Sequence, residues 1–388
     1  GLTMYKDLSV YIHIPFCIRK CSYCDFASKT PKDGELSAYK NALCAEIRQA
    51  YQYADRFNIK TIFIGGGTPS IYEPGVVSDI LSCLRETFEK RRQGSYIPYE
   101  ITIECNPGTI NEPKLISYKE AGINRLSIGL QSADDSELKL LGRIHTYSEW
   151  EESMSLARKC GFSNINTDII SGIPYQTVDS FKETLKKVVS HNPEHISVYS
   201  LIIEEGTPFY EMFGPGKIND DELDLWEERD RCIYEFTNEY LSSYGYNRYE
   251  ISNYAKPGYE CAHNLVYWRR GDYLGFGLSA ASMTDNVRFA VTDSLSEYLN
   301  TGIVNIKSRQ ALDKNSQMSE YMFLGLRLTN GVSVRDFFDT FKTDIFEVYK
   351  EPINKWSGMG LLIVKNGRIF CSEKGFNICN MIMADFLL

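Results

Sequence analysis

Strands alternate with helices through the first half of this chain, and that alternation constrains the fold more than any other feature of the sequence. A strand, a helix and a further strand in that order form a right-handed unit whose strands lie parallel. Six apolar, β-branched runs fall within the first 200 residues, whereas a complete eight-unit barrel usually needs ~250 residues. The predicted strands are Leu8–Ile14, Ile59–Ile64, Glu100–Glu104, Arg125–Ile128, Asn164–Ile169 and His195–Ser200. Segments with helical spacing lie between them, at Leu36–Tyr51, Val76–Phe88, Glu149–Lys159 and Ser180–Val189.

The unusual residue clusters of this half all come directly after a predicted strand. The carboxyl ends of parallel strands gather at one rim of an α/β fold, where such folds place their chemistry. This distribution favours a barrel-like arrangement over an open sheet, within the α/β class. The clusters are Pro15–Cys24, Gly65–Ser70, Asn106–Thr109, Gln131–Ser132 and Gly172–Gln176.

The alternating pattern ends near residue 215, and the 388 residues suggest more than one domain. Residues 1–215 form the predicted barrel, and 216–304, a long helix followed by aromatic, strand-like pieces, form an extension that completes the core domain. Residues 305–388 are helical with a hairpin at Leu361–Val364 and Arg368–Cys371, whose Asn-Gly turn is typical of tight hairpins. This layout predicts a small winged-helix-like C-terminal domain, and the lack of a basic stripe favours a lid or docking role over DNA binding.

The charge and hydropathy of the chain bear on its expected partners and location. The chain has 42 Lys and Arg residues against 51 Asp and Glu residues, a net charge of −9, so nucleic acid is not an expected ligand. No apolar run approaches the ~18 residues of a transmembrane segment, and no signal peptide precedes the first strand. We therefore expect a cytoplasmic protein with reduced cysteines.

Three of the eleven cysteines, Cys17, Cys21 and Cys24, lie on one predicted loop with the spacing C-x3-C-x2-C. Structural zinc normally takes four protein ligands, and a [4Fe–4S] cluster usually takes four cysteines. Three ligands without a local fourth therefore suggest a cubane with one open iron. The alternatives are three unrelated cysteines, or a zinc site completed by a distant Cys or His.

The residues around this loop resemble the radical SAM superfamily. Tyr11–Phe16 leads into the first cysteine, and Gly65–Ser70 follows the second strand as G-G-G-T-P-S. The resemblance implies a partial (βα)6 barrel and a [4Fe–4S] cluster on Cys17, Cys21 and Cys24. It also implies that the open iron binds S-adenosylmethionine. Glycines suit such a site because the backbone can approach a ligand closely where no Cβ intervenes.

Further motifs resemble the oxygen-independent coproporphyrinogen III oxidase-like branch over nearly the whole chain. They are Glu104–Pro107, Arg125–Ser132, Leu141–His145 and Asp168–Pro174. This resemblance implies that the S-adenosylmethionine contacts are Tyr11, Tyr23, Gly66, Gly67, Thr68, Glu104, Gln131, Arg143 and Asp168. Members of the branch can hold two such molecules, and Gln131, Arg143 and Asp168 match the second position.

Each of these positions also has a purely structural interpretation. Glu104 and Asp168 end strands, where a carboxylate can cap the next helix. Arg143 can be a surface cation, Tyr11 a core residue and Gln131 the first residue of a helix. The shared rim with the cysteines favours ligand contact.

Two functions fit the branch: a coproporphyrinogen dehydrogenase, and the HemW family, which binds heme and delivers it to other proteins. HemW is favoured because Phe26 stands where the enzyme commonly has a further cysteine, and because few residues precede Cys17. His263–Trp268 also resembles the H-N-x-x-Y-W motif typical of HemW. A different radical SAM enzyme, or an Fe–S protein without porphyrin, remains the alternative from another class.

His263 is the predicted heme contact, because imidazole is a common axial ligand of heme iron and flat aromatic rings suit a porphyrin face. A structural histidine holding a loop is the alternative, and Cys261 is a competing ligand. The expected partners are heme or porphyrin, heme-accepting proteins and an electron donor for the cluster. Whether S-adenosylmethionine is turned over, and the oligomeric state, stay open.

Overall fold

Six parallel strands, each beside the strand that follows it in sequence, form the centre of the fold in a computed structural model of the chain. The structure describes residues 4–24, 28–89, 96–301 and 306–388. All six predicted strands are present, so the predicted α/β class with parallel βα units is confirmed. The strands are β1 (Lys6–Ile14), β2 (Phe57–Gly66), β3 (Tyr96–Cys105), β4 (Arg125–Gln131), β5 (Ile165–Ser171) and β6 (His195–Ser200).

Helices cover the outer face of these strands because each presents an apolar stripe at helical spacing. In α6, for example, Phe181, Leu185 and Val188 are buried, and Thr177 and Ser180 form a capping box at the first turn. The helices of this half are α1 (Glu35–Gln49), α2 (Val76–Glu89), α3 (Glu112–Glu120), α4 (Asp135–Leu140), α5 (Tyr147–Lys159) and α6 (Val178–Ser190). Short 3₁₀ turns lie at Ala50–Asp55, Pro69–Ile71 and Pro107–Thr109.

The middle of the chain extends the sheet at both edges. β9 pairs parallel with β1, and β8 pairs antiparallel with β6, so neither edge of the central six strands stays open. Within the described residues the full order is β12-β11-β10-β9-β1-β2-β3-β4-β5-β6-β8-β7. The added strands are β7 (Asn247–Arg248), β8 (Asn253–Ala255), β9 (Tyr273–Phe276), β10 (Ala281–Thr284), β11 (Val287–Val291) and β12 (Ile306–Ala311). The helices here are α7 (Pro208–Phe213), α8 (Asp220–Ser243), α9 (Ala262–Trp268) and α10 (Leu295–Thr301).

The C-terminal part has its own three-stranded antiparallel sheet, in the order β13-β15-β14. The predicted hairpin is confirmed: Asn366 and Gly367 both have positive φ, at 53° and 71°, as a tight Asn-Gly turn requires. The strands are β13 (Val332–Ser333), β14 (Leu362–Lys365) and β15 (Arg368–Cys371). The helices are α11 (Lys314–Gly325), α12 (Val334–Phe341), α13 (Ile345–Val348), α14 (Lys350–Gly358), α15 (Glu373–Phe376) and α16 (Cys379–Ala384).

Two large hydrophobic cores divide the described chain. One contains buried side chains from Leu8 to Tyr298 and lies between the large sheet and its helices. The other contains buried side chains from Met318 to Phe386. The predicted boundaries at 215/216 and 304/305 stay predictions. In the part of the chain that the structure describes, no helix is both long and apolar enough to cross a membrane.

Candidate functional site at the carboxyl ends of the strands

A cavity opens at the carboxyl ends of the central strands and extends down between them. Eleven of the thirteen predicted site residues line it, and they come from the loop after β1, from the ends of β2 to β5 and from the segment after α4. They are Cys17, Cys21, Cys24, Tyr23, Gly66, Gly67, Thr68, Glu104, Gln131, Arg143 and Asp168. The parallel topology therefore brings residues up to 151 positions apart in sequence to one cavity.

Main-chain hydrogen bonds hold the cysteine loop to the segment before α1 and to the end of α4. The Cys17 amide donates to the Lys29 carbonyl at 2.9 Å, and the Ser22 amide donates to the Leu141 carbonyl at 2.9 Å. A turn in which the Cys24 amide donates to the Cys21 carbonyl at 3.2 Å directs the last two cysteines to the same side. The three thiols are free and half-buried.

The three thiols suit a cluster better than a single ion. Among the described residues, no three His, Cys, Asp or Glu side chains are close enough to hold one metal ion. In a cubane each thiolate binds a different iron atom, so the ligands stand further apart than in a tetrahedral zinc site. Burial raises the pKa of Cys17, while the nearby Ser28 and Thr68 hydroxyls act to lower it.

The Gly-rich turn after β2 lies directly against this loop. The Gly67 amide donates to the Ile14 carbonyl, and the Thr68 amide donates to the Phe16 carbonyl, both at 2.7 Å. A Cβ on Gly67 would lie 2.9 Å from the Cys17 sulfur, too close for a real Cβ contact. Glycine is therefore required here to keep the turn against the first cysteine.

Arg143 links the cysteine loop to β4. Its Nη1 lies 3.8 Å from the Cys21 sulfur. Burial raises the pKa of the Tyr23 hydroxyl, and the charge of Arg143 acts to lower it. Gln131 is buried at a β-bulge of β4 with a φ of 73°, a left-handed conformation that is uncommon outside glycine. Such local strain is frequent at functional sites, so the backbone of Gln131 supports a binding role.

Two carboxyl groups stand on the sheet side of the cavity. Burial, followed by the charge of Asp168, raises the pKa of Glu104 to about 8, and the Gly66 amide partly opposes this shift. Burial also raises the pKa of Asp168, against the hydrogen bond that Asn166 Nδ2 donates to its Oδ1 at 2.9 Å and the charge of Arg125. Without a ligand, Glu104 is therefore mainly protonated at neutral pH.

Two predicted residues do not line the cavity. Tyr11 lies within β1, half-buried, and its hydroxyl shares a hydrogen bond with His13 Nδ1 at 2.8 Å. His263 is buried below the cavity, where Nδ1 bonds to the Thr61 hydroxyl at 2.9 Å and Nε2 to the Tyr267 hydroxyl at 2.7 Å. Both imidazole nitrogens are thus occupied, the arrangement of a structural histidine. An axial ligand role stays a prediction and requires one of these bonds to break.

The sequence interpretation missed the polar lower part of the cavity. The missed residues that line it are Arg125, Ser127, Asn166, His195, Ser197 and Asn264. In β4 the residues Arg125 and Ser127 lie two positions apart, and side chains two positions apart on a strand face the same side. Counting in twos along β4, β5 and β6 would have identified most of these residues.

Two known protein families match separate parts of the chain. Residues 11–188 match the radical SAM superfamily, and residues 312–378 match the HemN C-terminal domain. The heme chaperone HemW of Lactococcus lactis subsp. lactis is 32% identical over 386 residues, covering 99% of this chain and 98% of the relative. HemW of Escherichia coli (strain K12) is 41% identical over 277 residues, covering 70% of this chain and 69% of the relative.

Among solved structures, the Escherichia coli coproporphyrinogen III oxidase HemN, a radical SAM enzyme, superposes with a TM-score of 0.82 at 25% identity. The match covers 98% of this chain and 90% of that chain. The HemN fold, a radical SAM domain followed by the HemN C-terminal domain, therefore extends over both hydrophobic cores.

Proposed function

The chain belongs to the HemW family of radical SAM proteins, and from that premise we propose that it binds heme and passes it to heme-accepting proteins. Its cofactors are those of the superfamily, a [4Fe–4S] cluster and S-adenosylmethionine. Cys17, Cys21 and Cys24 are the residues that would hold the cluster, and three thiolates leave one iron for S-adenosylmethionine. When bound and reduced, the cluster supplies the electron that cleaves the sulfonium bond.

The residues around the cavity have separate roles in this proposal. The Gly67 turn and the hydroxyl of Thr68 keep Cys17 in place. Arg143 supplies a positive charge beside Cys21, which stabilises a thiolate. Glu104 and Asp168 are the proposed contacts to the cationic ligand, and Glu104 must release its proton when it accepts that charge.

The observation that favours a porphyrin is the apolar mouth of the cavity, formed by Ile18, Ile144, Tyr199 and Ile202. All four are exposed and line the cavity, and Ile202 is 67% exposed. Large apolar side chains clustered around an opening mark a binding surface for an apolar ligand. A macrocycle lying across the mouth would cover them while one edge stayed open for transfer to an acceptor protein.

Oxidative decarboxylation of coproporphyrinogen is the second candidate, because the HemN structure superposes over nearly the whole chain. Phe26, the sequence feature that favours HemW over the enzyme, lies outside the described residues. An electron donor for the cluster and a cytoplasmic location also belong to the proposal.

Titration with hemin separates the two functions. Folded protein should shift the Soret band at one equivalent of hemin, whereas a dehydrogenase would consume coproporphyrinogen under dithionite with S-adenosylmethionine. Turnover of coproporphyrinogen without hemin binding would contradict the chaperone assignment.

Two sets of variants separate the metal centres. Replacing Cys17, Cys21 or Cys24 with Ala should remove the iron–sulfur chromophore and leave hemin uptake intact. If the triple variant kept its iron, the cluster assignment would be wrong.

His263→Ala tests the two roles left open for this histidine. Because both ring nitrogens are hydrogen-bonded in the protein interior, we expect a loss of about 2–3 kcal/mol in stability, measured by urea denaturation. An axial ligand would in addition displace the Soret band of the folded variant. Tyr267→Phe is the matched control, since it removes one of the two hydrogen bonds and leaves the imidazole in place.

A further inference from the structure

Arg125 lies at the floor of the cavity, and the described residues around it give its guanidinium no structural role. It is the first residue of β4, it is only 2% exposed, and it lines the cavity together with Ser127 two positions later. Its side chain therefore lies on the same face of β4 as that of Ser127, the face that lines the cavity.

The guanidinium lacks hydrogen-bond partners. Within the described residues no acceptor bonds to its Nε, which is fully buried, and no hydrogen bond joins either Nη to a protein group. A guanidinium that is almost fully buried without partners is disfavoured, because its donors have lost most of their contact with water. The nearby neutral groups Asn166 and Ser127 bond to each other at 2.9 Å instead.

The two nearest carboxylates have other partners. Glu100 attracts Arg125 through space, but its oxygens accept the Ala262 amide at 2.9 Å and the His263 amide at 3.0 Å, at the start of α9. Asp168 accepts from Asn166 and faces the upper cavity. Neither forms a hydrogen bond with the guanidinium, so its fork of donors stays available to a ligand.

The two histidines near Arg125 are neutral and add no further positive charge to the floor of the cavity. Burial, followed by the charge of Arg125, holds the pKa of His263 at about 3 and that of His195 well below its ordinary value. Both rings are neutral and hydrogen-bonded to neighbours, His195 to Asn166 and to Tyr249 at 2.6 Å each. As far as the structure describes the chain, the floor of the cavity thus places the guanidinium of Arg125 among polar groups that are hydrogen-bonded to one another.

We propose that Arg125 is a binding residue for the carboxylate of a ligand that reaches the floor of this cavity. A planar guanidinium binds a carboxylate through two parallel hydrogen bonds, which fits a deep site that recognises one anionic group. The proposal rests on the proposed function for the source of that carboxylate. One source is a propionate of heme, and the other is the methionine carboxylate of a second S-adenosylmethionine molecule.

The test compares ligands with and without their carboxylates in Arg125→Gln. For heme, the probes are hemin and hemin dimethyl ester, followed at the Soret band. For the second source, they are S-adenosylmethionine and its decarboxylated analogue, followed by equilibrium dialysis with the cluster-loaded protein. We expect Arg125→Gln to weaken one carboxylate-bearing ligand about 10- to 100-fold, the usual effect of losing hydrogen bonds to a charged group. The matching masked or decarboxylated ligand should bind the parent and the variant equally.

Arg229→Gln is the matched control. Arg229 is also buried, but it donates to the Ile173 and Gln176 carbonyls at 3.0 and 3.1 Å and does not line the cavity. It should lose stability and keep every ligand affinity. Arg125→Lys keeps the charge without the fork and should recover only part of the lost affinity, which keeps the test valid if Arg125→Gln does not fold.

The outcomes separate this proposal from the proposed function. A parent protein that does not bind hemin contradicts the chaperone assignment, while the S-adenosylmethionine pair still tests Arg125. Equal affinities of parent and folded Arg125→Gln for hemin and for S-adenosylmethionine would overturn the carboxylate site. An equal loss for a ligand and its carboxylate-free form would also overturn it, because Arg125 would then act only through the fold.

Discussion

At the scale of single residues, the cavity is defined by groups whose chemistry depends on burial. Burial, followed by the charge of Asp168, raises the pKa of the Glu104 carboxyl to about 8, so that it is mainly protonated at neutral pH. Arg125 is a cation whose hydrogen-bond donors have no partner among the residues that the structure describes. One cavity thus contains a neutral carboxyl and a guanidinium cation without hydrogen-bond partners among the described residues. Titratable groups perturbed in this way are typical of ligand-binding sites.

The raised pKa of Glu104 predicts a pH dependence of stability. Between the unfolded pKa near 4.5 and the folded value of about 8, the folded protein binds the additional proton, so the free energy of unfolding should fall as pH rises through this window. The slope should reach up to about 1.4 kcal/mol per pH unit. Urea denaturation of ligand-free protein at several pH values between 5 and 8 measures it.

Glu104→Gln should flatten part of this dependence. Glu46, whose pKa is raised to about 7 by burial, contributes a second decrease that the variant retains. Identical slopes for the parent and Glu104→Gln would show that Glu104 is ionised in the folded protein.

Replacing Gly67 with Ala should impair assembly of the cluster. In Gly67→Ala the new Cβ would meet the Phe16 carbonyl oxygen at 2.6 Å and the Cys17 sulfur at 2.9 Å, so the turn and the first ligand must separate. We expect reconstituted iron to fall to less than half of the parent value. Gly108→Ala is the control, because its Cβ would have no neighbour within 4 Å; a normal iron content in Gly67→Ala would remove this turn from the site.

At the scale of elements, helix α9 connects the floor of the cavity to the C-terminal part of the chain. Glu100 accepts its first amides, and His263 and Tyr267 pack beneath the cavity. At its other end the Trp268 ring lies 4.4 Å from the Arg327 guanidinium carbon, which follows α11. The H-N-x-x-Y-W motif thus has a structural role in addition to any contact with heme.

The contact between Trp268 and Arg327 predicts an energetic coupling between α9 and the C-terminal part of the chain. A double-mutant cycle with Trp268→Ala and Arg327→Ala should show an interaction of about 0.5–2 kcal/mol in the free energy of unfolding. Strictly additive effects would mean that α9 transmits no stability through this pair. Arg327→Lys, which keeps a cation near the ring, should retain part of the coupling.

At the scale of the whole molecule, the two hydrophobic cores are joined by buried ion pairs. Glu320 on α11 accepts from Arg270 at 3.0 Å and from Arg288 at 2.5 Å, and Arg327 donates to Glu250 at 2.9 Å. Although burial acts to raise it, the two arginines hold the pKa of Glu320 below its ordinary value. The C-terminal helices are therefore positioned against the strand-rich extension by charge as well as by packing.

Replacing Glu320 with Gln should weaken this junction. The substitution removes the negative charge that pairs with Arg270 and Arg288. Removing one partner of a buried ion pair typically costs about 3–5 kcal/mol. We expect limited proteolysis between the two cores to become faster and the urea midpoint to fall. Glu297→Gln is a control that should leave the junction protected from protease, because Glu297 lies in the first turn of α10 and accepts a hydrogen bond from Thr292.

The sequence by itself determined the βα alternation, the six central strands and the Asn-Gly hairpin, because these depend on local periodicity and turn chemistry. It also indicated the cysteine loop and eleven of the residues that line the cavity, since each lies at or near the carboxyl end of a strand and these ends meet at one rim. Only the tertiary structure decided that β9 and β8 cover the two edges of the central strands, because edge pairing depends on contacts distant in sequence. It likewise decided that both nitrogens of His263 are hydrogen-bonded, and that the buried Arg125 guanidinium has no hydrogen-bond partner within the described ranges. Burial and hydrogen bonding of one side chain depend on what the rest of the chain places around it, and no local pattern contains that information.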